Sequence, residues 1–586
     1  MDNSGFRQVL LAAVGALALV SPTLASPALA AGQAAAPVAT EAAQQAALPR
    51  PKLIVAISVD QFSSNLFGGW RGRYVAGLKR LGNEGIVYPN GYQSHAATET
   101  CPGHSTLLTG RHPSGTGINA NDFYDVTQGR EVYCLEDTAM RPAHDPKADP
   151  TEGRSAKNLK ASTLGDWLKA QSPKSRVFAI SGKDRGAINM GGHKADGEFW
   201  LVGGYGFTTF VPAGQSGAKA LEPVAALNKR IREYWKQTPP TWTYADESCR
   251  ALEHDWTING KTWRSQLPPV GWDVKSPTFI KDQFMVSPFM DELTLEGARE
   301  LVKEYKLGQG EATDLLAVSL SANDYVGHRY GTNGPEMCDQ QVRLDQQLGK
   351  FLDDLEELGV PFMVVLSADH GGLDFPERLN TRDVPQAGRI DGEAFMADLN
   401  GTLRAQLGLD YDPLLAAGLD QIWVVDRNGR QPSATERERV LKAALPLVRQ
   451  RPEVSAAFDR ETLLGTHVDR AKPVDELSLQ ERFALNTVQG RSADISVAFK
   501  PYLQAKKAKP GQSMTGHGTV WNYDRRVPIL FWWPGVQPQE RPLPMPTVDI
   551  APTLAHVLGI QPDGALDGQC RDLADFGTGR CAEAKR

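Results

Sequence analysis

No stretch of this 586-residue chain reaches the roughly 20 consecutive apolar residues that a membrane-spanning helix needs. An excess of basic charge is also lacking: Lys plus Arg number 63 against 69 Asp plus Glu, for a formal net charge of −6. That balance argues against nucleic acid as a main partner, because no global basic field exists to hold it. No internal repeat recurs at a fixed period, and no C-x-x-C spacing of the kind used by small zinc sites occurs. With 41% hydrophobic and 23% charged residues, the composition excludes disordered, collagenous and coiled-coil chains. The length allows a large core with insertions.

What is present begins with a processing segment. Arg7 precedes the apolar run Val9 to Val20, and Ala28-Leu29-Ala30 supplies a small-x-small cleavage pattern. A signal peptide is expected over residues 1–30, cleaved near Ala30, and an Ala/Gln/Pro-rich disordered tether over 31–50. The mature protein is then expected to be periplasmic or secreted, with no membrane span. Export makes the six cysteines candidates for disulfides; six allow 15 connectivities, among which sequence does not choose, and the pairing that closes the shortest loops is Cys101–Cys134, Cys249–Cys338 and Cys570–Cys581. The last would pin a polar tail over 561–586.

Short apolar runs, Leu53–Val59, Val177–Ile180, Leu315–Leu320, Phe362–Leu366 and Ile529–Trp533, end close to polar residues or at a Pro-Gly turn. Such runs suit strands buried on both faces. They alternate with helical patterns at Val75–Asn83, Leu159–Ala170, Asp291–Tyr305, Met337–Leu358 and Val548–Leu558. The fold class expected is α/β: a mostly parallel central sheet with helices on both faces. One catalytic domain over 51–560 would carry insertions at about 203–281 and about 375–509, the second a cap. Ligands in such sheets bind at the carboxyl ends of strands, where several of these polar residues fall.

Those residues include a divalent-metal ligand set. Asp60 ends the first run, Asp324 and His328 are spaced i, i+4, Asp369-His370 follow another run, and His517 sits in the loop Thr515-Gly516-His517-Gly518. Three Asp and three His suit zinc, while manganese and calcium stay open, and six ligands fit a pair of ions rather than one tetrahedral zinc. Taken singly, Asp60 is an ordinary turn former and Asp324/His328 a solvated helix face. His95 and His104 are expected to be satisfied structural histidines. In Thr98-Glu99-Thr100-Cys101-Pro102-Gly103-His104, a Thr hydroxyl at a helix start beside a metal is a candidate nucleophile, against the plain alternative of a helix cap.

Thr100-Cys101-Pro102-Gly103-His104, Asn119 to Asp125, Asp324-x-x-x-His328, Asp369-His370-Gly371, Thr515-Gly516-His517-Gly518 and Thr547 to Leu554 together resemble the alkaline phosphatase superfamily, from about Lys52 to Leu558. With Thr100, Asn121 and Lys183-Asp184-Arg185, the chain looks like its phosphate-irrepressible branch. The resemblance implies two zinc ions per chain, one held by Asp60, Asp369 and His370 with Thr100, the other by Asp324, His328 and His517. It implies that Asn121, Lys183 and Arg185 bind the phosphoryl group of a phosphate monoester, and that a phosphothreonine forms on Thr100. The closest rival is a nucleotide pyrophosphatase/phosphodiesterase of the same superfamily. A diester carries one negative charge fewer at the reacting phosphate, so Lys183 and Arg185 favour the monoesterase. A sulfatase would need Cys- or Ser-x-Pro-x-Arg, which Cys101-Pro102-Gly103-His104-Ser105 breaks. A sugar-phosphate mutase would use Ser and would not usually be exported. A non-catalytic exported phosphate-binding protein would need no second metal. Oligomeric state and the physiological ester are not fixed by sequence.

Overall fold

The ten-stranded central sheet is built from β1 (Leu53–Val59), β2 (Ile86–Tyr92), β3 (Val177–Ser181), β4 (Gly197–Val202), β5 (Gly206–Thr208), β6 (Asp314–Leu320), β7 (Phe362–Ser367), β8 (Arg526–Trp532), β9 (Gln539–Glu540) and β10 (Met545–Pro546). The computed structural model describes residues 47–382, 384–505 and 507–581. The expected signal peptide and the tether up to residue 46 therefore lie outside the described residues. Strand order is β9-β2-β8-β7-β1-β6-β3-β4-β5, with β10 also on β2. The five strands β7-β1-β6-β3-β4 are all parallel, with β6 at the centre of the five. Every residue of β1, β3, β6 and β7 is buried, which is why these strands read as unbroken apolar runs rather than alternating ones. β8 runs antiparallel to both β7 and β2.

The flanking helices that bear on the site are α1 (Thr100–Leu107), α2 (Asp184–Gly191), α3 (Phe289–Glu304), α4 (Ala322–Tyr330), α5 (Pro335–Glu356) and α6 (Ile550–Leu558). The pattern expected from Leu159 starts as a helix only at Leu164, because Thr163 and Asp166 form a reciprocal capping box there. β2 carries Pro89 and Gly91 and its register shifts between Tyr88 and Gly91, so its sequence hides a strand.

Residues of the expected first insertion include the sheet's own edge strand β5. Beyond it, the Trp242 indole donates to Asp339 of α5 (2.7 Å), and Cys249 is bonded to Cys338 on the same helix. Within the second, strands Leu414–Ala416, Gln421–Val424, Ile495–Phe499 and Val454–Asp459 form a separate antiparallel sheet, packed with helices Gly392–Leu407 and Ala434–Arg449 around its own apolar cluster. The disulfides join the three pairs expected. The C-terminal segment is less polar in role than its sequence suggests: Leu573 and Phe576 are buried in the main core. No described helix is long and apolar enough to cross a membrane.

Asp291 ties three helices together under the strand ends. Its Oδ1 accepts the Ala322 N–H that opens α4 (2.9 Å), and its Oδ2 accepts from Gln340 of α5 (3.2 Å). Burial pushes this carboxyl up to about 7, more than the hydrogen bonds pull it down. A folded-state pKa above the unfolded value means that the native state binds the proton more tightly, so the group lowers stability as pH rises from about 4 to about 7. Asp291→Asn should flatten that limb of the stability–pH curve. Thermal unfolding of both proteins at pH 5 and pH 8 measures it, and an unchanged difference would show that Asp291 does not titrate in this window.

Candidate metal and phosphoryl centre

The chain's direction through the sheet brings the candidate residues together. β1 runs straight into Asp60, whose N–H still bonds to the Leu320 carbonyl of β6 (2.9 Å). β6 leads into α4, which carries Asp324 and His328, and β7 into Asp369-His370. β3 leads into Lys183 at the start of α2. Because β8 runs opposite to β7, the loop preceding it, with His517, lies at the same end of the sheet. β2 is antiparallel to β8, so the segment after it delivers Thr100 there too.

Some of the lone pairs at this place are unmatched by donors, although His104 Nδ1 lies 3.1 Å from Asp369 Oδ2. Asp60 Oδ1, Asp369 Oδ2 and His370 Nε2 are buried without a hydrogen-bond partner, and His370 Nε2 is 3.4 Å from both carboxylate oxygens. Asp324 Oδ1 is 3.2 Å from His328 Nε2 and 3.4 Å from His517 Nε2, and the two imidazole nitrogens are 3.1 Å apart. Each ring has its Nδ1 on a backbone carbonyl: His328 on Thr515, His517 on Thr98 and His370 on Gly371, at 2.8–2.9 Å. A carbonyl only accepts, so Nδ1 carries a proton in each ring and Nε2 is the atom turned inward, the orientation that metal-ligating histidines have. Asp60, Asp369 and His370 form one group able to hold a cation, and Asp324, His370 and His517 another, so His370 borders both. A third group, His556 with Cys570 and Cys581, is occupied by the Cys570–Cys581 disulfide.

Lys183 is buried, its ammonium 2.6 Å from Asp60 Oδ2 and 2.5 Å from Asp324 Oδ2, bridging one carboxylate of each expected set. Burial alone would lower its pKa, but Asp324 and Asp60 outweigh that and hold it charged. Burial, and then the charge of Asp369, raises the Asp60 carboxyl well above its ordinary value, with Lys183 opposing. For Asp324, burial pushes upward but His328 and Lys183 bring it well below. Burial drives the His370 imidazole down to about 3, so it is neutral near pH 7 and available as a ligand.

Arg185, two residues on, is placed differently. Among the described residues no carboxylate lies within ion-pair range of it, and its buried Nε has no hydrogen-bond partner. Its neighbour Asp184 is taken up by Tyr133 (2.7 Å) and Arg154 (2.9 Å).

Thr100 is the first residue of α1 and is buried. Asn121 is fixed on either side of it: its N–H donates to Glu99 (2.6 Å), and its Oδ1 accepts from Cys101 N–H (2.8 Å). Its carbonyl accepts from Cys134 N–H (2.8 Å), whose side chain is bonded to Cys101. With Oδ1 committed, the amide nitrogen is the end left to meet a ligand. Asn121, Glu99, His328 and His517 all border one cavity of about 390 Å³.

Gln61 and Glu99 were not singled out by sequence reasoning. Gln61 holds a left-handed φ of 62°, its N–H donating to Asp369 (3.2 Å) and its amide to Asp324 (2.9 Å), so it spans both groups. The only sequence signal is adjacency, to Asp60 and to Thr100 respectively. His104 is satisfied, by the Thr100 carbonyl and Ser319, both at 2.9 Å. His95 departs from expectation: it is fully buried and neither ring nitrogen has a hydrogen-bond partner.

Comparison with known proteins agrees with this architecture. The sequence model of the family described as type I phosphodiesterase/nucleotide pyrophosphatase matches residues 54–528. The chain is 38% identical over 556 residues to alkaline phosphatase PhoK of Sphingomonas sp., covering 92% of this chain and 94% of PhoK. It is 41% identical over 532 residues to alkaline phosphatase PhoD of Zymomonas mobilis, covering 89% and 88%. The crystal structure of wild-type alkaline phosphatase PafA superposes with a TM-score of 0.74 at 25% identity, covering 88% of this chain and 97% of PafA.

The contact between α1 and the Asp369 backbone can be tested at Gly103, where a Cβ would lie 2.0 Å from the Asp369 carbonyl oxygen. Gly103→Ala must push α1 away from Asp369, and overpacking of this kind costs about 1–3 kcal/mol. Differential scanning calorimetry is expected to show a Tm lowered by several degrees; an unchanged Tm would mean that the helix can shift freely.

Proposed function

This chain belongs to the type I phosphodiesterase/nucleotide pyrophosphatase family within the alkaline phosphatase superfamily, and we propose that it is an exported, two-zinc alkaline phosphatase that hydrolyses phosphate monoesters through a phosphothreonine on Thr100. The observation that carries this reading is the convergence of buried ligand atoms without hydrogen-bond partners, Asp60 Oδ1, Asp369 Oδ2 and His370 Nε2, beside the paired Nε2 atoms of His328 and His517 at Asp324. Such a set, oxygen and imidazole only and short of donors, fits divalent zinc. Asp60, Asp369, His370 and Thr100 would hold one ion and Asp324, His328 and His517 the other. When bound, the pair supplies Lewis-acid stabilisation of the entering and departing oxygens of an in-line displacement.

The protein's own groups account for the rest. Thr100 gives up its hydroxyl proton to solvent as Oγ1 attacks phosphorus, the P–O bond to the alcohol breaks, and the departing alkoxide takes a proton from solvent. Water then attacks phosphorus and releases a proton, the bond to Thr100 breaks with its oxygen taking a proton back, and inorganic phosphate leaves. Asn121 donates a neutral hydrogen bond to a nonbridging oxygen through the amide end freed by its Glu99 and Cys101 contacts. Arg185, with no carboxylate partner, offers its fork to two phosphoryl oxygens, and Lys183 contributes a buried positive charge beside them. The apolar run Val9 to Val20 and Ala28-Leu29-Ala30 support export.

The same-family rival is a phosphodiesterase. Cations aimed at the extra negative oxygen of a monoester dianion stabilise that transition state selectively. Lys183→Ala/Arg185→Ala should cost monoester turnover about 2–4 kcal/mol, or roughly 30- to 1,000-fold in kcat/KM, and diester turnover far less. Kinetics with p-nitrophenyl phosphate and bis-p-nitrophenyl phosphate measure the ratio. Equal losses on both would remove the case for the monoesterase, and no turnover of either by zinc-replete wild type would indicate a binding protein.

A further inference from the structure

The cavity of about 390 Å³ beside the centre falls within the roughly 300–1,000 Å³ typical of small-molecule sites. Besides Asn121, His328 and His517 it is lined by Phe483, Phe499 and Trp521. Phe483 and Phe499 come from the second inserted segment, Phe499 at the end of its strand Ile495–Phe499, and Trp521 from the loop that carries His517. The Trp521 indole donates to the Phe499 carbonyl (2.9 Å), which fixes these two residues relative to each other. The charged lining is two carboxyl groups, Glu99 and Asp420, against Lys500. It has no cationic excess to receive a second anionic group.

Resting on the phosphatase reading, we propose that this cavity is the leaving-group subsite, and that its aromatic wall selects phosphate monoesters of uncharged aromatic alcohols over those of short alkyl alcohols. In-line displacement puts the entering and departing oxygens on opposite sides of phosphorus. Thr100 belongs with the Asp369 side, since α1 packs on the Asp369 backbone at Gly103. The departing oxygen then faces the His328 and His517 side, and those two residues border the cavity. Whatever that oxygen carries must enter it. An aromatic group there meets ring faces and edges, and binding energy from this remote part of the substrate can be used at the reacting phosphorus.

The test compares kcat/KM for 1-naphthyl phosphate and methyl phosphate in zinc-loaded wild type, Phe499→Ala and Trp521→Ala. Taking each variant relative to wild type cancels the intrinsic reactivity of the two esters. The naphthyl ester should lose at least about 10-fold more than the methyl ester in each variant. Losses equal within about threefold would overturn the subsite while leaving the phosphatase reading in place. Absence of turnover of both esters by wild type would overturn that reading and this inference with it. A second measurement needs no variant: on wild type, 1-naphthylphosphonate should inhibit at least about 10-fold more tightly than methylphosphonate, and equal inhibition constants would overturn the proposal.

Discussion

Three carboxylates, Asp60, Asp324 and Asp369, are withdrawn from water at one end of the sheet with a single buried ammonium, Lys183, between two of them. Taking even one charge out of water costs several kcal/mol unless it is compensated. Much of the surrounding structure supplies that compensation: Gln61 donates to two of the three carboxylates, His104 Nδ1 lies 3.1 Å from Asp369 Oδ2, and His328, His370 and His517 are each turned by a backbone carbonyl so that Nε2 faces the group. The compensation stops short, leaving buried acceptors without donors in the two groups of side chains able to hold a cation.

The sheet's topology produces the centre. Four parallel strands each release a functional segment at their carboxyl ends, and the reversal at β8 adds the His517 loop to the same end. The Cys101–Cys134 bond and the Glu99 and Cys101 contacts to Asn121 hold the Thr100 segment and the Asn121 amide in one unit. The second inserted segment adds Phe483 and Phe499 to the wall of the adjoining cavity, and the loop that carries His517 adds Trp521.

Most of the framework was legible because the buried strands cannot alternate. β1 was readable to the residue, Leu53–Val59, and β6 and β7 to within a residue. The polar residues that follow such runs have no packing reason to be there, which is how Asp60, Asp369 and His370 stood out. What escaped depended on geometry that residue type does not encode. Gln61 acts through a left-handed backbone, made possible where Gly327 and Gly372 leave room for its side chain. Glu99 acts through a contact with a backbone N–H 22 residues away. β2 was masked by its own proline and glycine, and the burial of Leu573 and Phe576 by a polar, disulfide-closed context.

The paired-ion centre is tested most directly by anomalous diffraction at the zinc edge from crystals of the zinc-loaded protein. Two peaks are expected, each with ligand atoms at about 2.0–2.2 Å. One should be bounded by Asp60, Asp369 and His370, the other by Asp324, His328 and His517. A single peak, or peaks away from these residues, would contradict the two-ion centre.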